Sequence, residues 1–305
     1  MRRELIAAGL LLLPGVKPAW AQAGPLAERV LRALEKARRP LLEHLAASSG
    51  GERALLVLAA IHDGVPADDK TFARALRGLA EDRLGMTYDL ALRLMVMADL
   101  PSFPDRAEAA ARDTKDLLRH QSADGGFSYG EGMRGYDLSN TQYGALGLRA
   151  AVALGQKIPQ AVWKRLLALV EGQQESYGGF GYHGQGAPYA SMTVAGIGVL
   201  EICKQNLEPA ARTGNIDGRI ARGWSWMDAH VADVGSWKTR WSAYFHYGLE
   251  RAAILSDKKT VGGKDWYELG AEMFLEEQQH DGGWGSHPIK AKNCLLYTSP
   301  SPRDS

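Results

Sequence analysis

The chain lacks the features that mark several classes of protein. Its 305 residues include only two cysteines, too few for a disulfide framework or a cysteine-rich zinc site. The 36 basic and 35 acidic residues nearly cancel, and the basic residues are spread along the chain. This balance gives no electrostatic case for binding nucleic acid or an anionic membrane surface. Because no apolar run reaches about 18 residues, no transmembrane segment is expected.

The first residues are expected to be removed from the mature protein. Two arginines precede the apolar run 5–13, and the Ala-Trp-Ala sequence at 19–21 fits a signal-peptidase site. We therefore predict a signal peptide over residues 1–23, with cleavage after Ala21 or Ala23. This predicts a protein that is exported to the periplasm or secreted.

The last residues have a different origin from the rest. "CLLYTSPSPRD", Cys294 to Asp304, corresponds codon for codon to a sequencing adapter, and residues 294–305 are interpreted as an artefact. The alternative is a disordered terminus. On the adapter interpretation the natural chain continues beyond Asn293, and Cys203 is its remaining cysteine. Cys203 lies in an apolar stretch, which predicts a small core residue.

A short motif occurs three times, as "QSADGGF" at 121–127, "QESYGGF" at 174–180 and "QQHDGGW" at 278–284. The motifs begin 53 and 104 residues apart, and 104 is twice 52. A fourth, degenerate unit is therefore expected near residue 226, within "RGWSWMDAHVADVGSW". Repeats of this length indicate one supersecondary unit that has been copied.

Each unit is predicted to consist of two helices. A charged, amphipathic segment precedes each motif, and a segment rich in apolar and small residues follows it. The same pairing occurs before the first motif, so we expect six outer and five inner helices, with no strands. The fold class is all-α, and about two-thirds of the chain is expected to be helical, well above the usual fraction. Ser and Thr are the expected N-caps of the inner helices, namely Ser139 or Thr141, Ser191 and Thr239.

The motif resembles the QW repeat of the terpenoid cyclases, which include the squalene–hopene cyclases and are related to the protein prenyltransferase β subunits. The resemblance extends from about residue 25 to 293 and implies an α/α toroid of about six helix pairs over 24–293, with the last inner helix missing. Repeat spacing alone permits a closed ring or an open solenoid. The motif says little about activity, because non-catalytic proteins use the same ring.

The motif residues are predicted to be structural. The Gln ends an outer helix, where its amide can bond open carbonyls or the N–H groups of the next helix. The glycines permit positive φ, and the aromatic ring packs over the junction. The residues assigned this role are Gln121, Gly125, Phe127, Gln174, Gly178, Phe180, Gln278, Gly282 and Trp284.

The resemblance also implies where a catalytic acid would be. In squalene–hopene cyclases an Asp-x-Asp-Asp-Thr-Ala segment opens an inner helix, and its middle Asp protonates the substrate. Here Asp137 and Thr141 match that segment, but Ser139 and Asn140 replace the next two acids. A hydroxyl is far too weak an acid to protonate an alkene. Asp137 is therefore only a weak catalytic candidate, and the segment is either a helix N-cap cluster or a polar patch at the mouth of the ring.

No cofactor or metal is expected. A prenyltransferase zinc site needs Asp, Cys and His, and Cys203 has no Asp at the required spacing. His183, His246 and His287 have no second ligand three or four residues away.

Aromatic residues near the starts of the inner helices are the remaining signal. Trp241, Tyr244 and Tyr247 lie three residues apart, on one helix face. Such a stripe fits core packing or a cavity for an apolar or isoprenoid-like ligand. The ligand-binding candidates are Tyr136, Asp137, Asn140, Gln142, Tyr143, Tyr189, Trp241 and Tyr244.

Three functions are compatible with these features. The preferred hypothesis is an exported toroid without the cyclase acid that binds a hydrophobic ligand or a protein partner. One alternative is a cyclase or prenyltransferase whose acid or metal site lies elsewhere or beyond Asn293. The other alternative is a structural repeat protein of the cell envelope.

Overall fold

The computed structural model describes residues 24–284, except residues 134, 185, 213–214 and 231–241. Of the described residues, 67% are helical, in eleven α-helices and a short 3-10 turn. This confirms the prediction of an all-α fold and the number of helices expected. The predicted signal peptide and the adapter segment lie outside the described residues.

The helices alternate along the chain between half-buried and almost fully buried. The half-buried helices carry odd numbers and the buried helices carry even numbers. In chain order they are α1 (Pro25–Ala47), α2 (Gly50–His62), α3 (Lys70–Glu81), α4 (Thr87–Asp99), α5 (Arg106–Arg119), α6 (Leu138–Ala153), α7 (Gln160–Gln173), α8 (Ala190–Asn206), α9 (Ile216–His230), α10 (Ser242–Leu255) and α11 (Trp266–Glu277).

A small hairpin before α11 was not predicted. Its strands are β1 (Thr260–Val261) and β2 (Lys264–Asp265), which pair antiparallel. The two glycines between them both have positive φ, as a tight two-residue hairpin turn requires. Strands of two residues show no alternation of apolar and polar positions, so the sequence pattern does not reveal them.

The half-buried helices show why their sequences look amphipathic. In α3 the buried residues are Phe72, Ala75 and Leu79, which lie on one helix face. The preceding Asp69 caps α3 by accepting hydrogen bonds from two backbone N–H groups at its start. The opposite face of such a helix carries the charged residues and meets solvent.

The buried helices pack against one another in chain order, α2 on α4, α4 on α6, α6 on α8 and α8 on α10. Small residues make the closest of these contacts possible. A Cβ atom at Gly147 of α6 would lie 2.8 Å from the Cα atom of Ala91 in α4. Only glycine therefore fits at this crossing.

The first and last described helices, α1 and α11, are also in contact. The Arg29 guanidinium donates two hydrogen bonds to the Glu272 carboxylate, at 2.6 and 2.7 Å. Just after α11, the Gln278 amide donates to the backbone oxygen of Ala33 at 2.7 Å. The two ends of the described chain therefore meet.

A buried ion pair connects α4 to α5. Arg93 donates to both carboxylate oxygens of Asp113, each at 2.6 Å, and both side chains are almost fully buried. The same guanidinium donates to the backbone oxygens of Leu79 and Asp82. Arg93 therefore ties the end of α3 to both α4 and α5.

The predicted Ser and Thr caps are wrong where the structure describes them. Asp137 is the N-cap of α6, and Tyr189 occupies the N-cap position of α8 without a side-chain cap bond. Ser139, Thr141 and Ser191 lie inside the helices instead. Thr239 lies outside the described residues. In the described part, no helix is both long enough and apolar enough to span a membrane.

Candidate functional site

The three motifs form the same tight turn. In the first motif, the Ser122 N–H donates to the Gly126 oxygen and the Gly125 N–H donates to the Ser122 oxygen, at 2.8 and 3.0 Å. The corresponding bonds measure 3.0 and 2.8 Å in the second motif and 2.8 and 3.0 Å in the third. The repeat seen in the sequence is thus a repeat of backbone geometry.

The Gln side chain of each motif links its turn to another half-buried helix. The Gln121 amide donates to the Gly125 oxygen at 3.0 Å and to the Val162 oxygen in α7 at 3.1 Å. Of the two kinds of partner expected for the amide, open carbonyls or N–H groups of the next helix, the structure shows carbonyls, and one of them belongs to the next half-buried helix. The corresponding acceptors are Arg219 O in α9 for Gln174 and Ala33 O in α1 for Gln278, at 2.8 and 2.7 Å.

The first glycine of each motif has two reasons to be glycine. Its φ is 101° at Gly125, 106° at Gly178 and 96° at Gly282, in the region that side chains disfavour. A Cβ atom there would also lie 2.2 or 2.3 Å from a backbone oxygen of the same half-buried helix that the Gln reaches. The glycine and the Gln therefore make one joint between two half-buried helices.

The motif ring fixes the start of the following buried helix. Phe127 is fully buried, and a Cβ atom at Gly144 in α6 would lie 2.4 Å from its ring. The Phe127 N–H donates to the Thr141 hydroxyl at 3.1 Å. Phe180, Gly196 and Thr193 repeat this arrangement at the start of α8, with the same 3.1 Å bond.

The third motif ring has a different partner. Trp284 is buried, and its indole N–H donates to the Phe274 backbone oxygen in α11 at 2.6 Å. The ring therefore packs back onto the helix that precedes it.

The Asp137 carboxylate is fully used in capping α6. Its Oδ1 accepts hydrogen bonds from the Asn140 N–H at 2.7 Å and from the Ser139 hydroxyl at 2.6 Å. Its Oδ2 accepts from the Asn140 side-chain amide at 2.8 Å. All three residues are buried, so of the two interpretations of this segment the structure shows the helix N-cap cluster.

Four tyrosines fill the space between α4, α6 and α10, and we call them the tyrosine cluster. The ring of Tyr143 lies 4.1 Å from that of Tyr88 and 6.2 Å from that of Tyr247, between centroids. The Tyr244 hydroxyl donates to Gln142 Oε1 at 3.0 Å. These rings contact one another, so they pack the interior at this level. Trp241, the other interior aromatic candidate, lies outside the described residues.

The tyrosine hydroxyls in this cluster stay neutral. Burial raises the pKa of Tyr143 and Tyr244 well above the usual value, and neighbouring tyrosines add to the effect. They can therefore donate hydrogen bonds but cannot act as bases near neutral pH. Tyr88 was not among the predicted site residues. It lies at the start of a buried helix, as the predicted aromatic candidates do, and this position could have identified it.

The remaining predicted tyrosines lie at the surface, on what we call the loop face. It comprises the loops that precede α6 and α8, over 128–137 and 181–189 without residues 134 and 185. Tyr136 directly precedes the N-cap residue of α6 and Tyr189 is the N-cap residue of α8, and both are partly exposed. The loops are joined by the His183 Nδ1 contact with the Tyr136 oxygen, at 3.2 Å, and by the Tyr129 and Tyr182 hydroxyls, 3.3 Å apart.

One further acid lies in a buried helix and was not predicted. Glu250 of α10 is 3% exposed, and its Oε2 has no hydrogen-bond partner among the described residues. Burial raises the pKa of Glu250 to about 8, although Arg251 lowers it. A carboxyl group with this pKa is a weaker proton donor than an ordinary one.

Within the described ranges, no group of three or more His, Cys, Asp and Glu residues is placed to hold a metal ion. Cys203 is a free, buried thiol, and burial raises its pKa. A search against models of known protein families finds none that matches the chain.

Proposed function

We propose that the chain is an exported, non-catalytic α/α toroid, of the terpenoid cyclase and prenyltransferase repeat type, that binds a protein partner through its loop face. The half-buried helices form the outer ring and the buried helices form the inner ring. The arrangement of the Asp137 carboxylate is the observation that carries the non-catalytic part of this proposal.

The joint made by Gln278 supports a closed ring. The first two motifs connect each outer helix to the next one along the chain, α5 to α7 and α7 to α9. The third motif makes the same contact between α11 and α1. In an open solenoid the first and last helices would be far apart, whereas in a ring they are neighbours.

The Asp137 cluster supports a non-catalytic function. Its carboxylate accepts three hydrogen bonds within α6, and the neighbouring position that holds the cyclase acid is a serine. The interior next to it is packed by the tyrosine cluster, with Tyr143 only 4% exposed. A substrate at this level therefore meets a carboxylate that already accepts three hydrogen bonds and not a free acid.

The composition of the loop face supports a protein partner over an apolar ligand. Tyr and Gly dominate both loops, and Met133 is 54% exposed beside them. Tyrosine offers a large, rigid contact area together with a hydroxyl, which is why protein-binding loops are enriched in it. Among the predicted candidates that the structure describes, the interior ones are buried, and the accessible aromatic residues are Tyr136 and Tyr189 in the loops.

The binding face can be tested by affinity capture and then with the purified partner. Wild type, the double variant Tyr136→Ala/Tyr189→Ala and the control Tyr177→Ala, which removes an exposed tyrosine of a motif turn, are compared. We expect one protein to be captured by wild type and the control but not by the double variant. Its affinity for the purified double variant should fall by at least about tenfold. Equal affinity for all three proteins would refute the loop face as the site.

The absence of catalysis has its own test. Purified protein is incubated with squalene and with prenyl diphosphates, and the organic extract is analysed by mass spectrometry. No cyclised or transferred product is expected, and such a product would restore the enzyme alternative. Export is tested by the N-terminus of protein expressed from its complete reading frame, which should begin at Gln22 or Gly24.

A further inference from the structure

The ends of four buried helices carry a group of polar residues away from the loop face. Asp99 is the last residue of α4, and Gln205 is the penultimate residue of α8. Arg149 lies four residues before the end of α6, and Arg251 lies four residues before the end of α10. We call Arg149 and Arg251 the arginine pair. Eleven residues of α6 separate Leu138 from Arg149, so the pair lies about 16 Å along this helix from its start.

The arginine pair lacks carboxylate partners. Among the described residues, neither guanidinium has an acidic group within ion-pair distance. Arg149 makes one long contact, 3.4 Å, with the Gln205 side-chain oxygen. The Nε atom of Arg251 is buried without a hydrogen-bond partner in the described part of the chain. A buried N–H of a charged group without an acceptor is costly, and a bound anion would remove that cost.

The groups around the pair come from three buried helices. The Arg251 guanidinium lies over the Tyr247 ring, 4.9 Å from its centroid, and the next ring is that of Tyr143. Burial lowers the pKa of Arg149, and the charge of Arg251 lowers it further. Asp99 raises the pKa of Arg149, but its carboxylate oxygen already lies 3.2 Å from the His62 ring nitrogen. Burial opposes the charge of Arg251, but Tyr247, Glu250 and Asp99 raise its pKa overall, so this guanidinium stays charged above the aromatic rings.

The site is open to solvent on one side. Arg149 is exposed and Val152, one turn further along α6, is 40% exposed, while Ile254 of α10 is partly exposed. Apolar side chains therefore lie beside the two arginines on their helices. A ligand with an anionic group and an apolar body fits this combination.

We propose that Arg149 and Arg251 bind the carboxylate of a small organic acid whose apolar part lies against Val152, Ile254 and the edge of the tyrosine cluster. A carboxylate matches the two donors of a guanidinium in one plane. A phosphate dianion fits less well, because helix C-termini carry partial negative charge, about half a unit each, and Asp99 adds to it. This site is independent of the proposed function, since it lies at the opposite end of the buried helices.

The proposal is tested by calorimetric titration of full-length protein with octanoate, acetate and inorganic phosphate. Octanoate should bind with one site per chain, acetate more weakly because it lacks the apolar body, and phosphate most weakly. R149Q and R251Q should each weaken octanoate binding by at least about tenfold. R149K keeps the charge but loses the planar fork, so its affinity should be intermediate.

The matched control is R74Q, which removes one exposed positive charge from α3 and should leave octanoate binding unchanged. Circular dichroism and thermal unfolding check that each variant is folded, and Arg149 is exposed enough for its variant to fold. If wild type binds no carboxylate, or if R149Q and R251Q bind as wild type does, the proposal is overturned. In the second case the arginines only stabilise the helix ends. The Y136A/Y189A variant should keep octanoate binding, which separates this site from the loop face.

Discussion

The contact between α4 and α5 and the joints made by the Gln motifs hold neighbouring helices together with different chemistry. Arg93 and Asp113 do it with a buried, bidentate ion pair. Each motif joins its helices through a neutral Gln amide, a glycine that packs against a backbone oxygen, and a buried aromatic ring. The ion pair concentrates its contribution in two charged groups, whereas the motif divides it among several residues.

This difference determines how each contact responds to mutation. Removing one partner of a buried ion pair leaves an uncompensated charge, which is a large penalty. Removing the motif amide takes one neutral donor from a turn carbonyl and one from a helix carbonyl, which is a smaller penalty. The motif is nevertheless the contact that is repeated, since its turn needs only glycine and a short amide side chain at fixed positions.

The largest effect is expected at the ion pair. Asp113→Asn should lower the free energy of unfolding by about 3–5 kcal/mol, because Arg93 would keep its charge in a buried position. Denaturation by urea, followed by circular dichroism, measures this. Arg93→Met/Asp113→Leu should recover most of the loss. R39Q, at an exposed ion pair, should unfold like wild type. If D113N loses no more free energy of unfolding than R39Q does, the buried ion pair contributes no more than an exposed one.

A smaller but still large effect is expected at a motif glycine. Gly178→Ala should lower the free energy of unfolding by at least about 2 kcal/mol, because its Cβ would meet the Arg222 oxygen at positive φ. Gly155→Ala is the control, since Gly155 has φ 81° but a Cβ atom there would meet nothing within 4 Å. It should cost only the backbone strain, about 1–2 kcal/mol. Equal losses would show that the close approach to α9 adds nothing.

The amide of the closing joint should matter less than the glycine. Gln278→Ala removes two hydrogen bonds and should lower the free energy of unfolding by about 1–2 kcal/mol. Gln174→Ala, within the chain, should have a similar effect, while Gln279→Ala at an exposed position should have none. If Q278A unfolds like wild type and Q174A does not, α11 and α1 are not joined as α7 and α9 are.

The smallest effect near neutral pH is expected at Glu250, in a region that has neither the ion pair nor the motif. Its folded-state pKa of about 8 lies above the ordinary 4.5, so the folded state holds a proton that the unfolded state has lost. Stability should therefore fall as pH rises from 4.5 to 8 and then level off. Between pH 7 and 9 the fall is about 1 kcal/mol relative to E250Q, in which that slope should be absent. Identical pH profiles would contradict the buried, neutral carboxyl.

The sequence predicted the class of fold and the positions of the helices well. Periodicity in segments such as α3 reports directly which residues meet the core, and the repeat spacing located the joints. It did not predict the N-cap of α6, because Asp137, Ser139 and Thr141 are all good capping residues. Only the three-dimensional arrangement shows which oxygen faces the free N–H groups.

The candidate site was predicted only in part. Tyr143 and Tyr244 are buried and Tyr136 and Tyr189 are at the surface, although all four lie near helix starts. Tyr88, Glu250 and the arginine pair were missed, since they come from three different helices, α4, α6 and α10, and none has a local motif. Residues distant in the chain come together only through packing.

Sequence alone decides the local features of this protein, because they depend on near neighbours in the chain. Helix periodicity, the turn geometry of "QSADGGF" and the presence of a serine at position 139 are all of this kind. Tertiary structure decides which helix each Gln reaches, how the two ends of the described chain meet and where charges lie unpaired. Those outcomes depend on distances between segments that the order of residues does not specify.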